Sequence, residues 1–309
     1  MTEGLRSVPG GVSSVRAARY ALAVLALINL FNYLDRWVVA AVVESIKRSE
    51  LHLSDTQLGF IGTGFIIVYT LTSPLFGMLG DRRTRPPLIA IGVALWSIAT
   101  ALAGFARGFA SLFTARSAVG IGEAAYGTIA PALLADFFPF ERRGRVLAAF
   151  YAAIPVGSAA GYVLGGIVDQ HLGWRAAFWI AGTPGLLLSG LVLMVKDPPR
   201  GLHDGGAPPP PAAQNAGAPQ KWIGAYRDLF RKRTYILAAL GYGAYTFALG
   251  GLAFWMPAFL ERVRGMPRIM LSRDRHAKPR RSIPPRRSRW PRERSGTRAP
   301  ASWHQRARR

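Results

Sequence analysis

The sequence predicts an all-α protein that crosses a membrane several times. Six long apolar stretches fill the chain from Tyr20 to Val195, and a seventh follows at Thr234–Phe259. About twenty helical residues, each rising about 1.5 Å, span the hydrocarbon core of a bilayer, which is about 30 Å thick. Half of the 309 residues are hydrophobic, and they are grouped in blocks instead of at amphipathic spacing. These observations argue against a soluble helical protein.

The apolar stretches define seven predicted helices, with short connections between the first six. The helices are expected near residues 20–42, 57–79, 86–106, 110–133, 146–168, 175–196 and 234–259. The first stretch is too long for the core of a signal peptide and has no evident small-residue cleavage site. We therefore interpret residues 1–19 as an N-terminal segment and residues 20–196 as a six-helix transmembrane bundle.

Glycines and prolines within the bundle predict how its helices pack. Gly157, Gly161 and Gly165 are spaced by four, which would let two helix backbones approach closely. Pro131 is expected to end the fourth helix, and Pro155 is expected to kink the fifth, because proline lacks the N–H that continues a helix.

Residues 197–233 are predicted to form a flexible cytoplasmic linker. Pro198, Pro199 and four consecutive prolines at 208–211 are incompatible with a packed element, and the segment ends in the basic cluster 231–233. The seventh helix, 234–259, follows it.

Residues 260–309 are predicted to form a disordered basic tail. The segment from Phe259 onward holds 17 of the 39 Lys and Arg residues and three acidic residues, so it carries +14 of the net charge of +23. Its Arg, Pro and Ser content cannot bury enough apolar surface to fold. A tail that binds nucleic acid or anionic lipid is one interpretation. We favour a shifted reading frame, because the composition changes abruptly after Pro267.

The distribution of positive charge predicts the orientation. With the N-terminus in the cytoplasm, the cytoplasmic segments up to residue 233 hold 16 Lys and Arg residues and the opposite loops hold 4. Cytoplasmic loops of membrane proteins carry such an excess. The expected location is a prokaryotic plasma (inner) membrane, with the N-terminus in the cytoplasm.

Charged residues inside the apolar helices are the candidates for function. A charge at the centre of a membrane helix costs about 2.5–3.5 kcal/mol on insertion scales, so such residues face a protein interior or a water-filled cavity. Asp35 lies about 22 Å along the first helix and Arg116 about 9 Å from the outer end of the fourth, so the two can pair at similar depth. Glu123 lies two turns beyond Arg116 and nearer the midplane. These charges fit either a proton-responsive switch or a fixed interhelical salt bridge.

The loop between the second and third helices carries the most specific pattern. It resembles the G-x-L-[AG]-D-R-x-G-R loop of the major facilitator superfamily and departs from it at Thr84, where the family usually has Gly. The matching residues are Gly77, Leu79, Gly80, Asp81, Arg82 and Arg85. We predict a cytoplasmic gating role for Gly77, Gly80, Asp81, Arg82 and Arg85.

Further stretches resemble the spinster-type branch of that superfamily. They are 32–36, 116–124, 129–131, 154–158, 161–162 and 197–201. The resemblance covers about residues 20–267. It implies a secondary active transporter, a proton-linked carrier of lipid-like or other hydrophobic or anionic small molecules. The implied residues of substrate and proton coupling are Asn32, Asp35, Arg36, Arg116 and Glu123.

The same resemblance implies twelve helices in two six-helix halves. By that measure the sequence holds the N-terminal half, the central linker and one further helix, so we expect a truncated transporter that is inactive alone. The expected partners are a small-molecule substrate, protons and membrane lipids, with no specific nucleic acid.

Other classes of function fit less well. A seven-helix receptor or sensor and a non-functional fragment stay as alternatives, although a retinal protein would need a lysine that Thr234–Phe259 lacks. Cysteine chemistry is excluded because the chain has no Cys. The five His residues are scattered without the spacing of a metal site, so no metal, cofactor or enzymatic activity is expected.

Overall fold

The computed structural model describes residues 15–201, 224 and 227–265. Within them are eight helices of twelve residues or more: α1 Val15–Arg48, α2 Asp55–Arg82, α3 Arg85–Ala103, α4 Phe109–Phe137, α5 Phe140–Tyr151, α6 Ala153–Leu172, α7 Trp174–Val192 and α8 Arg233–Arg262. Seven of the described stretches are long and apolar enough to cross a membrane, because α5 and α6 together form one span. The prediction of an all-α, multi-pass membrane protein is confirmed. The predicted tail from residue 266 onward lies outside the described residues.

Local sequence explains where several helices begin. Ser54 caps α2: its Oγ accepts a hydrogen bond from the Gln57 N–H at 3.2 Å, and Gln57 Oε1 accepts one from the Ser54 N–H at 2.9 Å. Pro86 and Pro87 lie in the first turn of α3, where an N–H has no helical partner and proline is tolerated. The N-terminal segment is shorter than predicted, because α1 already begins at Val15.

Pro131 does not end the fourth membrane helix. It lies inside α4, which continues to Phe137, so that prediction is wrong. Within a bundle, neighbouring helices and local adjustments tolerate a proline that would end an isolated helix.

The fifth membrane span begins earlier than predicted and is interrupted. It starts at Phe140 instead of 146, and α5 and α6 meet at Ala152, three residues before Pro155. The span is therefore interrupted within one turn of the proline. Because a proline removes a helical hydrogen bond, backbone groups near the break need other partners, and Asn29 Nδ2 donates to the Phe150 carbonyl at 3.0 Å.

The helices alternate in direction along the bundle. We call the end that holds residues 48–55 the distal end and the end that holds residues 82–85 the proximal end. Arg175 Nη2 donates to Glu50 Oε1 at 2.6 Å, which places the start of α7 at the distal end. By the predicted orientation, the proximal end is cytoplasmic.

Glycines set the close contact between α1 and α6. A Cβ on Gly161 would lie 2.5 Å from the Leu34 carbonyl oxygen, and a Cβ on Gly157 would clash with the Leu30 carbonyl. A Cβ on Gly165 would lie 2.8 Å from Ala41 Cβ. The predicted packing role of this glycine series is confirmed, since side chains at these positions would separate the two backbones.

The other contacts hold the first six spans together and leave α8 at one side. α4 packs on α2 and α3, and α3 packs on α7. Most of α8 is exposed; its Phe254 and Trp255 rings lie over Gly62 and Gly59 of α2. These contacts place α8 beside α1 and α2, where it forms one wall of a cavity.

Candidate functional site

Asp35 and Arg116 form a buried ion pair between α1 and α4. Arg116 Nη1 lies 3.1 Å from Asp35 Oδ1, and the two residues are 3% and 1% exposed respectively. Thr100 of α3 donates its hydroxyl to Asp35 Oδ2 at 2.5 Å. The Asp35–Arg116 pairing, which the sequence predicted as possible, is therefore present. Both carboxylate oxygens of Asp35 accept a hydrogen bond.

Glu123 also has a cationic partner, which the sequence analysis did not foresee. Its Oε2 accepts a hydrogen bond from Arg36 Nε at 3.2 Å and forms an ion pair with Arg36 Nη2. Glu123 is 1% exposed. Adjacent residues of α1, Asp35 and Arg36, thus pair with opposite charges two turns apart on α4, so this part of the bundle is electrically balanced.

Aromatic rings surround the Arg36 guanidinium. Its Cζ lies 4.8 Å from the ring centroid of Tyr33, 5.0 Å from that of Phe65 and 5.6 Å from that of Tyr69. Aromatic faces attract a cation most strongly where water is excluded. The rings therefore stabilise the positive charge of Arg36 while its head group still borders open space.

Two buried polar atoms near this pair are unsatisfied. Among the described residues, Glu123 Oε1 and Asn32 Nδ2 have no hydrogen-bond partner. Asn32 is 3% exposed and precedes Arg36 by one helical turn, so both lie on the same side of α1. Buried polar atoms are normally hydrogen-bonded, so unsatisfied ones indicate a place where a proton or ligand can bind.

Arg36 lines a cavity of about 980 Å³ between α1, α6 and α8. That volume falls in the range of small-molecule sites. The Trp37 and Tyr162 rings are stacked in its wall with centroids 5.4 Å apart, and the Tyr162 hydroxyl donates to the Ala253 carbonyl of α8 at 2.7 Å. Tyr33, Tyr242 and Tyr245 add further aromatic surface. The cavity is thus mainly apolar and aromatic, with the cationic Arg36 on one side and the carboxylates of Glu44, Asp169 and Glu261 elsewhere in its lining.

The predicted gating loop forms a separate group at the proximal end. Arg85 is 3% exposed; it forms ion pairs with Asp136 and Asp197 and donates from Nη2 to the Pro198 carbonyl at 2.8 Å. Asp81 and Arg82 are exposed. Of the loop residues singled out by sequence, Arg85 is therefore the one buried in an ionic network.

The two glycines of the loop differ. Gly80 is buried, and a Cβ there would lie 2.9 Å from Ile129 Cγ1, so it brings α2 close to α4. A Cβ on Gly77 would meet no described atom within 4 Å. Nothing in the described structure explains why position 77 is glycine.

The start of the predicted linker is fixed to the same group, which corrects the prediction for its first residues. Arg200 Nη2 donates to the carbonyls of Gly80 and Arg83 at 2.8 and 2.9 Å, and the Gly201 N–H donates to Asp136 Oδ1 at 3.0 Å. Residues of the 197–201 stretch therefore anchor the beginning of the linker to this loop. Most of the remaining linker lies outside the described residues.

Thr100, Asp136 and Asp197 are site residues that sequence reasoning missed. Threonine is ordinary in a membrane helix, and carboxylates at helix ends are common at surfaces, so neither signal was specific. Within the described chain, no group of three or more His, Asp or Glu residues could hold a metal ion.

Residues 25–272 match the family model described as Major Facilitator Superfamily. The human protein spinster homolog 1 is 41% identical over 268 residues, which are 85% of this chain and 49% of that protein. The Drosophila melanogaster protein spinster is 38% identical over 256 residues, covering 82% of this chain and 41% of that protein. The chain spans about half the length of the curated relatives it matches.

One solved structure extends the similarity to the fold. A bacterial homolog of the human lysosomal transporter Spinster, in an inward-facing and unoccupied conformation, is 28% identical with a TM-score of 0.70. The match covers 82% of this chain and 57% of that one. The similarity therefore extends over most of the described helices.

Proposed function

This chain belongs to the major facilitator superfamily and is of the spinster type, and on that basis we propose that it acts as a secondary active transporter. Its cargo would be a lipid-like or other hydrophobic, anionic small molecule, and its movement would be linked to protons. One observation carries this proposal: Arg36, which lines the cavity, is paired with the buried carboxylate of Glu123.

The Arg36–Glu123 pair can couple a proton to an anionic ligand. Burial disfavours a charged carboxylate, and a neighbouring guanidinium favours it, so the protonation of such a pair depends on where the guanidinium is engaged. An anionic group in the cavity would compete for Arg36 and leave Glu123 without its counter-charge. Glu123 would then take up a proton, for which its unsatisfied Oε1 offers a free position. Loss of that proton would return Arg36 to Glu123 and release the ligand.

Asp35, Arg116 and Asn32 support this pair in the proposal. Asp35 is held by Arg116 and Thr100, so it fixes α1 against α3 and α4 beside the coupling residues. Asn32 offers a buried amide donor one turn from Arg36. We therefore keep Asp35, Arg116 and Asn32, together with Arg36 and Glu123, as the proposed residues of substrate and proton coupling.

The cavity suggests an amphiphile as cargo. Its aromatic lining would bind an apolar tail through burial of hydrophobic surface, and Arg36 would bind an anionic head group. A ligand with only one of these features would leave part of the cavity unmatched. One relative of known structure is a bacterial homolog of a human lysosomal transporter.

The orientation and completeness of the transporter also belong to the proposal. We propose that the N-terminus and the proximal end face the cytoplasm of a prokaryotic cell. Transport in this superfamily depends on two half-bundles that rock around a central site. The described residues hold one half-bundle and α8, so we propose that the chain transports only when a second half-bundle is present.

The test is a flux assay in vesicles that contain pyranine as an internal pH indicator. The chain is reconstituted alone and together with the C-terminal half of a spinster relative, and a fluorescent anionic lysophospholipid is added. We expect proton movement that depends on the probe in the second sample. Flux without proton movement would contradict coupling, and saturable binding without flux in either sample would favour a receptor or sensor. Absence of both would favour a non-functional fragment.

A further inference from the structure

The indole of Trp37 carries an unused hydrogen-bond donor in the wall of the cavity. Trp37 lines the same cavity as Arg36. Its Nε1 atom is buried and has no hydrogen-bond acceptor among the described residues. An indole N–H can only donate, and a buried donor without an acceptor is unfavourable because it has lost its water and gained no partner. The pairing of Arg36 with Glu123 gives this donor no role.

The close contact between α1 and α6 fixes the position of the indole. A Cβ on Gly161 would lie 3.1 Å from Trp37 Cβ, so the glycine leaves room for the base of the side chain. The next residue, Tyr162, stacks its ring on the indole with centroids 5.4 Å apart. A donor held by packing between two helices is preorganised, so it loses little side-chain freedom when it binds a ligand.

Trp37 and Arg36 lie against different walls of the cavity. Arg36 Cζ is 5.0 Å from the ring centroid of Phe65 on α2, and its guanidinium pairs with Glu123 on α4. The indole instead lies against Tyr162 on α6. Adjacent residues of a helix differ by about 100° around its axis and by about 1.5 Å along it. An anionic head group at Arg36 would therefore leave Trp37 Nε1 free for a second oxygen of the same cargo.

The depth of Trp37 indicates which part of the cargo this second oxygen belongs to. At the level of Arg36 the cargo presents its head group and the atoms that join the head group to the apolar tail. In an anionic amphiphile that junction can be an ester or amide, whose carbonyl oxygen is an acceptor, or an ether without a carbonyl. A site built to hydrogen-bond a ligand group rejects an analogue without that group, because the buried donor then stays unpaired.

We propose that Trp37 is a specificity-determining residue whose indole N–H binds a carbonyl oxygen between the anionic head group and the apolar tail of the cargo. The inference rests on the proposed transport function and narrows its substrate class to anionic amphiphiles with an ester-linked or amide-linked tail. Arg36 binds the head group on the side of α2 and α4, and Trp37 binds the carbonyl on the side of α6. Because Nε1 is buried, the carbonyl reaches it through a shift of the stacked Tyr162 ring.

The test compares two probes that differ only at the junction. The whole chain in lipid nanodiscs is titrated with 1-decanoyl-lysophosphatidylglycerol and with its 1-O-decyl ether analogue, and both dissociation constants are measured by displacement of a fluorescent anionic lysophospholipid. We expect the unmodified chain to bind the ester about tenfold more tightly than the ether, as for one hydrogen bond to a buried donor. In Trp37→Phe, which keeps an aromatic ring but removes the N–H, this ratio should fall to about one.

A second indole provides the control. Trp179 of α7 is 38% exposed and does not belong to the cavity lining, so Trp179→Phe should keep the tenfold ratio. Thermal unfolding in the same nanodiscs shows whether Trp37→Phe is folded. If it is not, the unmodified chain still decides, because equal affinity for the two probes overturns the proposal and a preference for the ester supports it.

Three results would overturn the proposal: equal binding of both probes by the unmodified chain, binding of neither probe, or a tenfold ratio that persists in folded Trp37→Phe. These measurements need neither a proton gradient nor a second half-bundle. Preference for the ester without flux would overturn the proposed transport function alone. Proton-linked flux with equal affinity for ester and ether would overturn the role of Trp37 alone.

Discussion

Arg116 Nη1 lies 3.1 Å from Asp35 Oδ1, and this ion pair between α1 and α4 is almost completely buried. Removing one member of a buried pair leaves an uncompensated charge and costs about 3–5 kcal/mol. We therefore expect Arg116→Gln to lower the stability of the purified protein strongly, as measured by thermal unfolding in detergent.

Neutralising both members of the pair tests whether the unpaired charge causes the loss of stability in Arg116→Gln. Asp35→Asn together with Arg116→Gln should be more stable than Arg116→Gln alone, since the double variant contains no unpaired charge and Thr100 can still bond at position 35. Equal or lower stability of the double variant would show that the arginine matters for packing instead.

Gly161 allows α6 to touch the backbone of α1. A Cβ there would lie 2.5 Å from the Leu34 carbonyl oxygen, so Gly161→Ala should destabilise the bundle by about 1–3 kcal/mol through overpacking. Gly166 lies on the same helix, and a Cβ there would meet no described atom within 4 Å. Gly166→Ala should thus be neutral or slightly stabilising, because alanine favours helix more than glycine. If Gly161→Ala and Gly166→Ala changed the unfolding temperature by the same amount, the close contact of α6 with α1 at Gly161 would be contradicted.

The sequence predicted the helices and this glycine contact because both depend on regular spacing. The pairing of Asp35 with Arg116 could also be predicted, since depth along two antiparallel helices follows from residue number. The partner of Glu123 could not, because Arg36 follows Asp35 directly and its direction is decided by the rings of Tyr33, Phe65 and Tyr69. The network of Arg85 was missed for a similar reason: Asp136 and Asp197 are distant in sequence and meet only when α3, α4 and α7 have packed.

Arg85 is expected to stabilise the proximal end. Arg85→Gln would leave the carboxylates of Asp136 and Asp197 close together without their shared cation. The free energy of unfolding should therefore fall by about 2–5 kcal/mol, which thermal unfolding would detect as a lower unfolding temperature. Arg142→Gln removes an exposed charge near the same end and serves as the control. The assignment would be wrong if the two variants unfolded at the same temperature.

The proposed orientation can be tested in intact cells. Arg107→Cys and Thr84→Cys place single thiols at exposed positions of the distal and proximal ends, in a chain that has no other cysteine. With the N-terminus in the cytoplasm, a membrane-impermeant maleimide should label Arg107→Cys and should reach Thr84→Cys only after lysis. The reverse pattern would invert the topology.

The most direct test of the coupling mechanism is proton movement in the Glu123→Gln variant. The glutamine retains the shape of the side chain but cannot bind and release the proton, so lysophospholipid-dependent proton flux in the two-half preparation should fall to background. Glu141→Gln, which removes an exposed charge on α5, should show the same proton flux as the unmodified chain. Unchanged proton flux in Glu123→Gln, with the probe still transported, would contradict the central claim that the Arg36–Glu123 pair links protons to the cargo.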